Sequence, residues 1–148
     1  MEPGDALDAF GGVGLFAGSL LSAGHEVTTV ESSGDAIDDG RATREAWPDG
    51  RRWSIEAVTL ERFLERDGRP FDVVVADPPR AGLGSRAAAE LAGRTRKLFL
   101  YVSCDPATLA RDLSVIRAGG WEIRGTALYD FFAFTHRIEA LVVLRRKA

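Results

Sequence analysis

The fold of this chain is constrained most by a regular alternation between short apolar runs, each bounded by turn residues, and longer helix-like stretches. Runs of this kind predict β-strands, and the stretches between them predict helices. The predicted strands cover residues 6–10, 26–30, 53–58, 72–76, 98–103, 122–128 and 138–144, and the predicted helices cover 15–23, 35–47, 60–67, 85–94 and 106–118. This order predicts an α/β fold with a mainly parallel sheet and helices on both faces.

The pattern changes near the carboxyl end of the chain. Gly119 and Gly120 are followed by two strand-like segments with only residues 130–137 between them, which predicts an antiparallel pair that closes the sheet. A chain of 148 residues without repeats or linkers is typical of one domain, so we expect a single catalytic domain over residues 1–148. Because the first strand begins almost at Met1, we also expect a segment that normally precedes it to be missing.

Composition excludes several classes of protein. One cysteine cannot form a disulfide framework, and two histidines with that cysteine do not make a plausible zinc cluster. The net charge of -3 argues against a broad phosphate-binding surface, and no apolar run approaches the roughly 18 residues of a membrane span. We therefore expect a cytoplasmic protein that binds neither metal nor membrane.

Residues 8–16 read D-A-F-G-G-V-G-L-F and place glycines between the first strand and the first helix. Glycine allows a ligand to approach the backbone closely, and Glu31 at the end of the second strand can accept hydrogen bonds from both ribose hydroxyls of an adenosine. Gly12 and Gly14, with Ala17, also match the dinucleotide pattern G-x-G-x-x-G/A. Asp8 favours S-adenosylmethionine, because a carboxylate would repel a pyrophosphate.

Two further side chains are predicted at the same edge of the sheet. Cys104 directly follows the apolar stretch 97–102 and precedes a helix, whose start favours the thiolate form. Asp77 ends a buried strand and is followed by Pro78 and Pro79, which stop the strand and hold the turn rigid. Ligands of open α/β sheets bind at the carboxyl ends of the strands, so Cys104 is the first candidate for a nucleophile.

Four motifs in order give the chain a family resemblance. Besides the glycine loop, these are D-P-P-R-A-G at 77–82, S-C-D-P-A-T-L-A-R-D at 103–112 and F-T-H-R-I-E at 134–139. Nearly the whole chain resembles the S-adenosylmethionine-dependent RNA uracil-C5 methyltransferases, which make 5-methyluridine in transfer and ribosomal RNA. The resemblance implies a class I methyltransferase fold, Rossmann-like, with S-adenosyl-L-methionine as cofactor.

The resemblance also implies roles for individual residues. In the family the cysteine of the S-C-D-P-A-T motif adds to the uracil ring and the glutamate of the F-T-H-R-I-E motif removes the C5 proton, which implies Cys104 as nucleophile and Glu139 as base. Asp77 is implied to lie between cofactor and uracil, and Glu31 to hold the ribose. The implied cofactor-lining positions of the loop are Phe10 and Leu15.

Substrate residues are predicted next to these. Arg80 and Arg111 lie beside the proposed site and match family positions, so we expect them to contact RNA, and His136 is expected to orient Glu139 by hydrogen bonding. Arg80 stands where RNA cytosine-C5 methyltransferases commonly carry a cysteine, which favours uracil as the substrate. The family pattern is broken at Ala133 and Arg137, where proline and histidine are usual.

The expected partner is transfer or ribosomal RNA, bound with the help of an amino-terminal substrate-binding segment that these 148 residues do not contain. Two alternatives stay open at this point. One is an inert cofactor-binding module within an RNA-modifying assembly. The other is an NAD(P)-dependent oxidoreductase built on the same glycine loop, which leaves Cys104 and Glu139 without roles.

Overall fold

The computed structural model describes residues 2–130 and 138–147. The strands in these residues are β1 (Asp5–Asp8), β2 (Glu26–Glu31), β3 (Trp53–Ala57), β4 (Phe71–Ala76), β5 (Thr95–Ser103), β6 (Trp121–Tyr129) and β7 (Glu139–Arg146). The helices are α1 (Leu15–Ser22), α2 (Gly34–Ala46), α3 (Leu60–Arg66), α4 (Gly84–Arg94) and α5 (Pro106–Ala118), with a 3-10 turn at Gly50–Arg52. In these same ranges no helix combines the length and the apolar character needed to cross a membrane.

The strands form one sheet in the order β3-β2-β1-β4-β5-β7-β6. The first five strands are parallel, and β7 lies antiparallel between β5 and β6. The predicted α/β fold with an antiparallel pair at the end is therefore confirmed. Because the chain winds outward from β1 in one direction and from β4 in the other, the crevice between their carboxyl ends is the switch point where such sheets bind ligands.

Two hydrophobic clusters, one on each face, hold the helices against the sheet. In β4 every residue is buried, and its side chains alternate between the clusters. Val73 and Val75 pack with the cluster under α1, whereas Val74 and Ala76 pack with the larger cluster that includes Trp121. Alternation of side chains is a property of any strand, and burial on both faces explains why residues 73–76 of β4 are all apolar.

Only α5 has the predicted bounds, and most other elements differ from the prediction by one or two residues at an end. β1 ends at Asp8 rather than at residue 10, because the backbone N–H of Gly11 donates to the carbonyl of Val30 and starts the turn into α1. β5 begins at Thr95, before the apolar run, since Thr95 pairs with Phe71 although the side chains that follow are exposed. The 3-10 turn before β3 was not predicted at all.

Candidate active site

The carboxyl ends of the parallel strands gather the predicted residues at one edge of the sheet. Asp8 is the last residue of β1 and Glu31 the last of β2, while Asp77 and Cys104 directly follow β4 and β5. Glu139 joins them from the opposite chain direction, because it is the first residue of the antiparallel β7. The sheet therefore brings together side chains that are up to 131 positions apart in sequence, from Asp8 to Glu139.

The pairing of β5 with β7 places the thiol and the glutamate beside each other. Ser103 pairs with Ala140, so the next position on each strand is Cys104 on one side and Glu139 on the other. Glu139 also pairs with Tyr129 of β6. A cavity of about 400 Å³ lies here, and its lining residues are Leu15, Phe16, Asp77, Val102, Cys104, Tyr129, Glu139, Ala140 and Leu141.

Sequence reasoning had singled out Asp77, Cys104, Glu139 and Leu15 among these lining residues. It missed Tyr129, whose only signal was its place at the end of a predicted strand, opposite the start of the next. Two aromatic rings and aliphatic side chains around a thiol and two carboxylates make a cavity that suits a flat, mainly uncharged ring.

The carboxylate of Glu31 is held by backbone donors of the glycine loop and of its own turn. Its Oε2 atom accepts a hydrogen bond from the N–H of Gly12 at 3.0 Å, and Oε1 accepts from the N–H groups of Ser32 and Ser33, both at 2.7 Å. A carboxylate oxygen accepts about two hydrogen bonds. Oε2 therefore keeps one acceptor position for a ribose hydroxyl, and ribose binding by Glu31 stays a prediction.

The glycine loop itself is shaped by aromatic packing. Gly12 and Gly14 have positive φ angles of 51° and 99°. A Cβ at Gly14 would overlap the ring of Trp53, which is anchored by its indole N–H to Thr29 at 2.8 Å. The loop can lie this close to Trp53 only because residue 14 has no side chain.

The two apolar loop residues predicted to line the cofactor lie in different surroundings. Leu15 is 73% exposed and lines the cavity, which leaves it available to a bound ligand. Phe10 is partly buried and packs against the larger hydrophobic cluster.

Asp8 has no exposed surface, and neither of its carboxylate oxygens has a hydrogen bond of normal geometry within the described residues. Burial raises its pKa from 3.8 to about 7, an effect that the N–H of Ala17 opposes and the charges of Asp77 and Glu31 reinforce. An unpaired carboxyl at the start of α1 is unusual, since buried polar groups almost always have partners. Near neutral pH this group exchanges its proton, and a cationic ligand nearby would hold it ionised.

The whole edge of the sheet is acidic. The pKa of Asp77 is raised, first by burial and then by the charge of Glu139. Together with Asp8 and Glu31, these residues place four carboxyl groups around one crevice. S-adenosyl-L-methionine carries a sulfonium and an ammonium group, so the crevice attracts it, whereas the pyrophosphate of NAD would be repelled. These four carboxyl groups thus fit the predicted cofactor and disfavour the oxidoreductase alternative.

The loop that carries Cys104 is fixed by hydrogen bonds on both sides of the thiol. Ser103 Oγ accepts from the N–H of Asp105 at 3.1 Å and donates to its carbonyl at 3.0 Å. Asp105 caps α5, and its Oδ1 accepts from the N–H groups of Ala107 and Thr108 at 3.0 and 2.9 Å. These first-turn N–H groups of α5 are thus directed to Asp105. That the helix start favours the thiolate form of Cys104 stays a prediction. Cys104 itself is partly buried.

The three predicted substrate residues, Arg80, Arg111 and His136, differ in their surroundings. Arg80 is exposed beside the loop of Asp77, and its charge helps to lower the pKa of Asp105. Arg111 is bound within the protein, with Nε 2.9 Å from Asp112 Oδ1. His136 lies outside the described residues, as do Ala133 and Arg137. Within the described ranges, no group of three or more His, Cys, Asp or Glu side chains could hold a metal ion.

Comparison with solved structures places this geometry among known folds. A tRNA (uracil-54, C5)-methyltransferase of Pyrococcus abyssi, solved with S-adenosyl-L-homocysteine, superposes with a TM-score of 0.81 at 30% identity, over 97% of this chain and 35% of that one. A magnesium protoporphyrin IX methyltransferase of Synechocystis, solved with SAM, has a TM-score of 0.73 at 17% identity, over 96% of this chain and 69% of that one. The second likeness shows the fold alone.

Sequence comparison is more specific. An uncharacterized RNA methyltransferase of Streptomyces avermitilis is 40% identical over 147 residues, which cover 97% of this chain and 33% of the relative. The chain spans about a third of the length of the curated relatives it matches. The family model of tRNA (uracil-5-)-methyltransferases matches residues 55–147, which include Asp77, Cys104 and Glu139. The family model, which contains three of the four motifs, and the relatives that match almost the whole chain together confirm the resemblance, and the chain belongs to the tRNA (uracil-5-)-methyltransferase family.

Proposed function

We propose that this chain is the methyl-transferring domain of an enzyme that methylates C5 of a uridine in transfer or ribosomal RNA, in the cytoplasm. The observation that carries the proposal is the single cavity lined by Asp77, Cys104 and Glu139. Family membership supports the reaction class, and the cavity supplies the three groups that this reaction needs. The inert-module alternative gives no reason for a thiol and a carboxylate to face each other across adjacent strands.

The cofactor is S-adenosyl-L-methionine, and the solved relative from Pyrococcus abyssi was crystallised with its demethylated product. When bound, the cofactor supplies an electrophilic methyl group on a positively charged sulfur. Glu31 would hold the ribose through the remaining acceptor position of Oε2, and Leu15 would cover the bound molecule from the loop. Asp8 and Asp77 supply negative charge along the crevice.

Cys104 performs the first chemical task. Uracil C5 is too weak a nucleophile to take a methyl group unaided, but addition of the Cys104 thiolate to C6 opens the C5–C6 double bond and places negative charge on C5. C5 would then attack the methyl carbon in line, and the bond from that carbon to the sulfonium sulfur would break, with S-adenosylhomocysteine as the leaving group. The rigid turn formed by Ser103 and Asp105 holds the thiol in a fixed position, which lowers the entropic cost of the addition.

Glu139 performs the second chemical task, which is to remove a proton from C5. After methylation C5 carries both the methyl group and its original hydrogen, and the Glu139 carboxylate accepts that proton. The electrons of the C–H bond restore the C5–C6 double bond while the C6–S bond breaks, which returns Cys104 as a thiolate. Because Ser103 pairs with Ala140, Glu139 lies at the position next to Cys104, as this sequence of steps requires.

The proposal is tested with RNA that contains 5-fluorouridine and a radiolabelled methyl donor, followed by denaturing gel electrophoresis. Fluorine cannot leave C5 as a cation, so the wild-type protein should remain joined to the methylated RNA. Cys104→Ala should abolish both adduct and methyl transfer. With ordinary uridine, Glu139→Gln should still methylate but accumulate the covalent complex. Turnover by Cys104→Ala, or product release by Glu139→Gln at the wild-type rate, would overturn these assignments, and no adduct with any variant would favour the inert module.

A further inference from the structure

Asp112 of α5 is a fully buried carboxylate beside the loop that follows Asp77. Its Oδ2 atom accepts hydrogen bonds from the Tyr101 hydroxyl at 2.6 Å and from the N–H of Leu83 at 2.7 Å, and Oδ1 accepts from Arg111 Nε at 2.9 Å. Burial raises the pKa of Asp112, but the three hydrogen-bond donors and the Arg111 charge together lower it by more, so the net shift is downward. Buried charges are tolerated when they are satisfied in this way.

The same helix holds the preceding part of the loop by its backbone. Arg111 Nη2 donates to the carbonyl of Ala81 at 2.8 Å, and Thr108 Oγ1 donates to the carbonyl of Arg80 at 3.0 Å. Gly82 has a φ of 73°, and a Cβ there would lie 2.7 Å from Arg111 Nη2. Only glycine lets the loop approach the guanidinium so closely. Four consecutive residues of the loop, 80–83, therefore lie against α5.

These contacts join the structural elements that carry the two reactive groups. The loop begins at Asp77, immediately after β4, whereas α5 begins two residues after Cys104. Tyr101 lies on β5, three residues before the thiol. A shift of the loop relative to α5 would change the distance between the Asp77 carboxylate and the Cys104 thiol, and both face the same cavity.

We infer that Arg111 and Asp112 are positioning residues, which fix loop 77–83 against α5 and thereby set the separation of Asp77 and Cys104. The inference rests on the proposed function, since it concerns the geometry of the proposed reaction. It also gives Arg111 a role other than the RNA contact expected from the sequence.

Lysine can replace Arg111 in an RNA contact but not in the bridge between Asp112 and the Ala81 carbonyl. A phosphate contact needs a positive charge, which lysine supplies. The bridge between Asp112 Oδ1 and the Ala81 carbonyl uses two nitrogen atoms of one planar group, and the single ammonium of lysine does not reproduce that fork. Arg111→Lys therefore separates positioning from RNA binding.

The experiment compares wild type, Arg111→Lys, Arg111→Ala and the control Arg41→Lys, which alters an exposed ion pair with Asp38 on α2. Thermal unfolding shows which variants are folded. Filter binding gives the Kd for RNA, and the rate of adduct formation with 5-fluorouridine RNA is measured at saturating RNA and methyl donor. Arg111→Lys should lower that rate at least tenfold and leave the Kd within twofold of wild type, while Arg41→Lys changes neither.

If Arg111→Lys fails to fold, Thr108→Val takes its place, because it removes the hydroxyl that donates to the Arg80 carbonyl with little change of shape. That hydroxyl also lies 3.2 Å from Asp105 Oδ1, but the backbone N–H groups of Ala107 and Thr108 still bind Asp105 in the variant. Its adduct rate should fall at least threefold at unchanged Kd. A wild-type rate in the folded variant, or a Kd raised in parallel with the loss of rate, would overturn the positioning role.

If wild type forms no adduct, the proposed uracil chemistry fails, and the positioning role is decided separately. Alkylation of Cys104 by iodoacetamide in the presence of S-adenosylhomocysteine then serves as the readout. Arg111→Lys, or Thr108→Val in its place, should change the alkylation rate at least threefold relative to wild type and Arg41→Lys. An equal rate in all three proteins would refute the inference.

Discussion

Replacing Asp8 by asparagine should change how the stability of this protein depends on pH. In the folded protein burial raises the Asp8 pKa from 3.8 to about 7. Between these values the folded state keeps a proton that the unfolded state has released, so unfolding releases one proton. The free energy of unfolding therefore falls as pH rises through this window, and the loss is complete above the folded pKa.

The size of the effect follows from the shift. Each pKa unit is worth about 1.4 kcal/mol, so a rise of about three units costs the folded protein about 4 kcal/mol at high pH. Asp8→Asn has nearly the same shape and does not ionise. Between pH 5 and pH 8, wild type should lose about 2 to 3 kcal/mol more stability than Asp8→Asn. The raised pKa of Asp77 acts in the same direction and is present in both proteins, so the comparison removes its main cause, burial, and leaves only its coupling to the Asp8 charge.

The assay is urea unfolding without cofactor at several pH values from 5 to 8, followed by tryptophan fluorescence. Asp38→Asn, an exposed carboxylate on α2, is the matched control and should keep the pH dependence of wild type. Equal pH dependence of wild type and Asp8→Asn would refute the reasoning, because it would mean that burial does not hold Asp8 in its neutral form.

Three other predictions concern cofactor, loop and RNA. Glu31→Ala should weaken S-adenosylhomocysteine binding by about 1 to 3 kcal/mol in calorimetry, through the lost charged hydrogen bonds, and tight NADH binding instead would contradict the cofactor assignment. Gly14→Ala should lower the free energy of unfolding by about 2 to 4 kcal/mol, since it combines a left-handed backbone with overlap on Trp53, whereas Gly34→Ala on α2 meets no atom within 4 Å and should cost little. The chain should bind RNA weakly, with a shallow salt dependence in filter binding; nanomolar affinity with a steep slope would contradict this.

The sheet could be predicted because its determinants are local. Alternating apolar runs and helical stretches define which segments form strands, and the short connection between the last two strands requires them to be antiparallel. The ends of a strand are harder to predict where backbone pairing extends the strand beyond its apolar residues. Thr95 pairs with Phe71, and the register then shifts over the exposed Arg96 and Lys97 before Leu98 pairs with Val73. No apolar pattern marks that extension of β5.

The sequence predicts which side chains lie together at the candidate site, but it does not predict their hydrogen bonds. Strand ends identify Asp8, Asp77 and Cys104 as neighbours because the carboxyl ends of parallel strands meet. The sequence does not reveal which donors each acceptor finds. Arg111 was expected at the RNA and is engaged by Asp112, since that partner is buried by tertiary packing. Likewise, Oε1 of Glu31 is filled by backbone N–H groups whose direction depends on the turn.

The acidic crevice constrains how RNA can meet the proposed site. The carboxylates that attract a cationic cofactor repel phosphate groups, and at 0.1 M salt that repulsion extends over about 10 Å. A uracil ring is uncharged, so it can enter the cavity while its own phosphates stay outside, where Arg80 is exposed. Under the proposed function, this arrangement requires the uridine to be turned out of its stack, as in enzymes that modify bases. The electrostatics therefore favour a single extruded base over a bound RNA strand along the crevice.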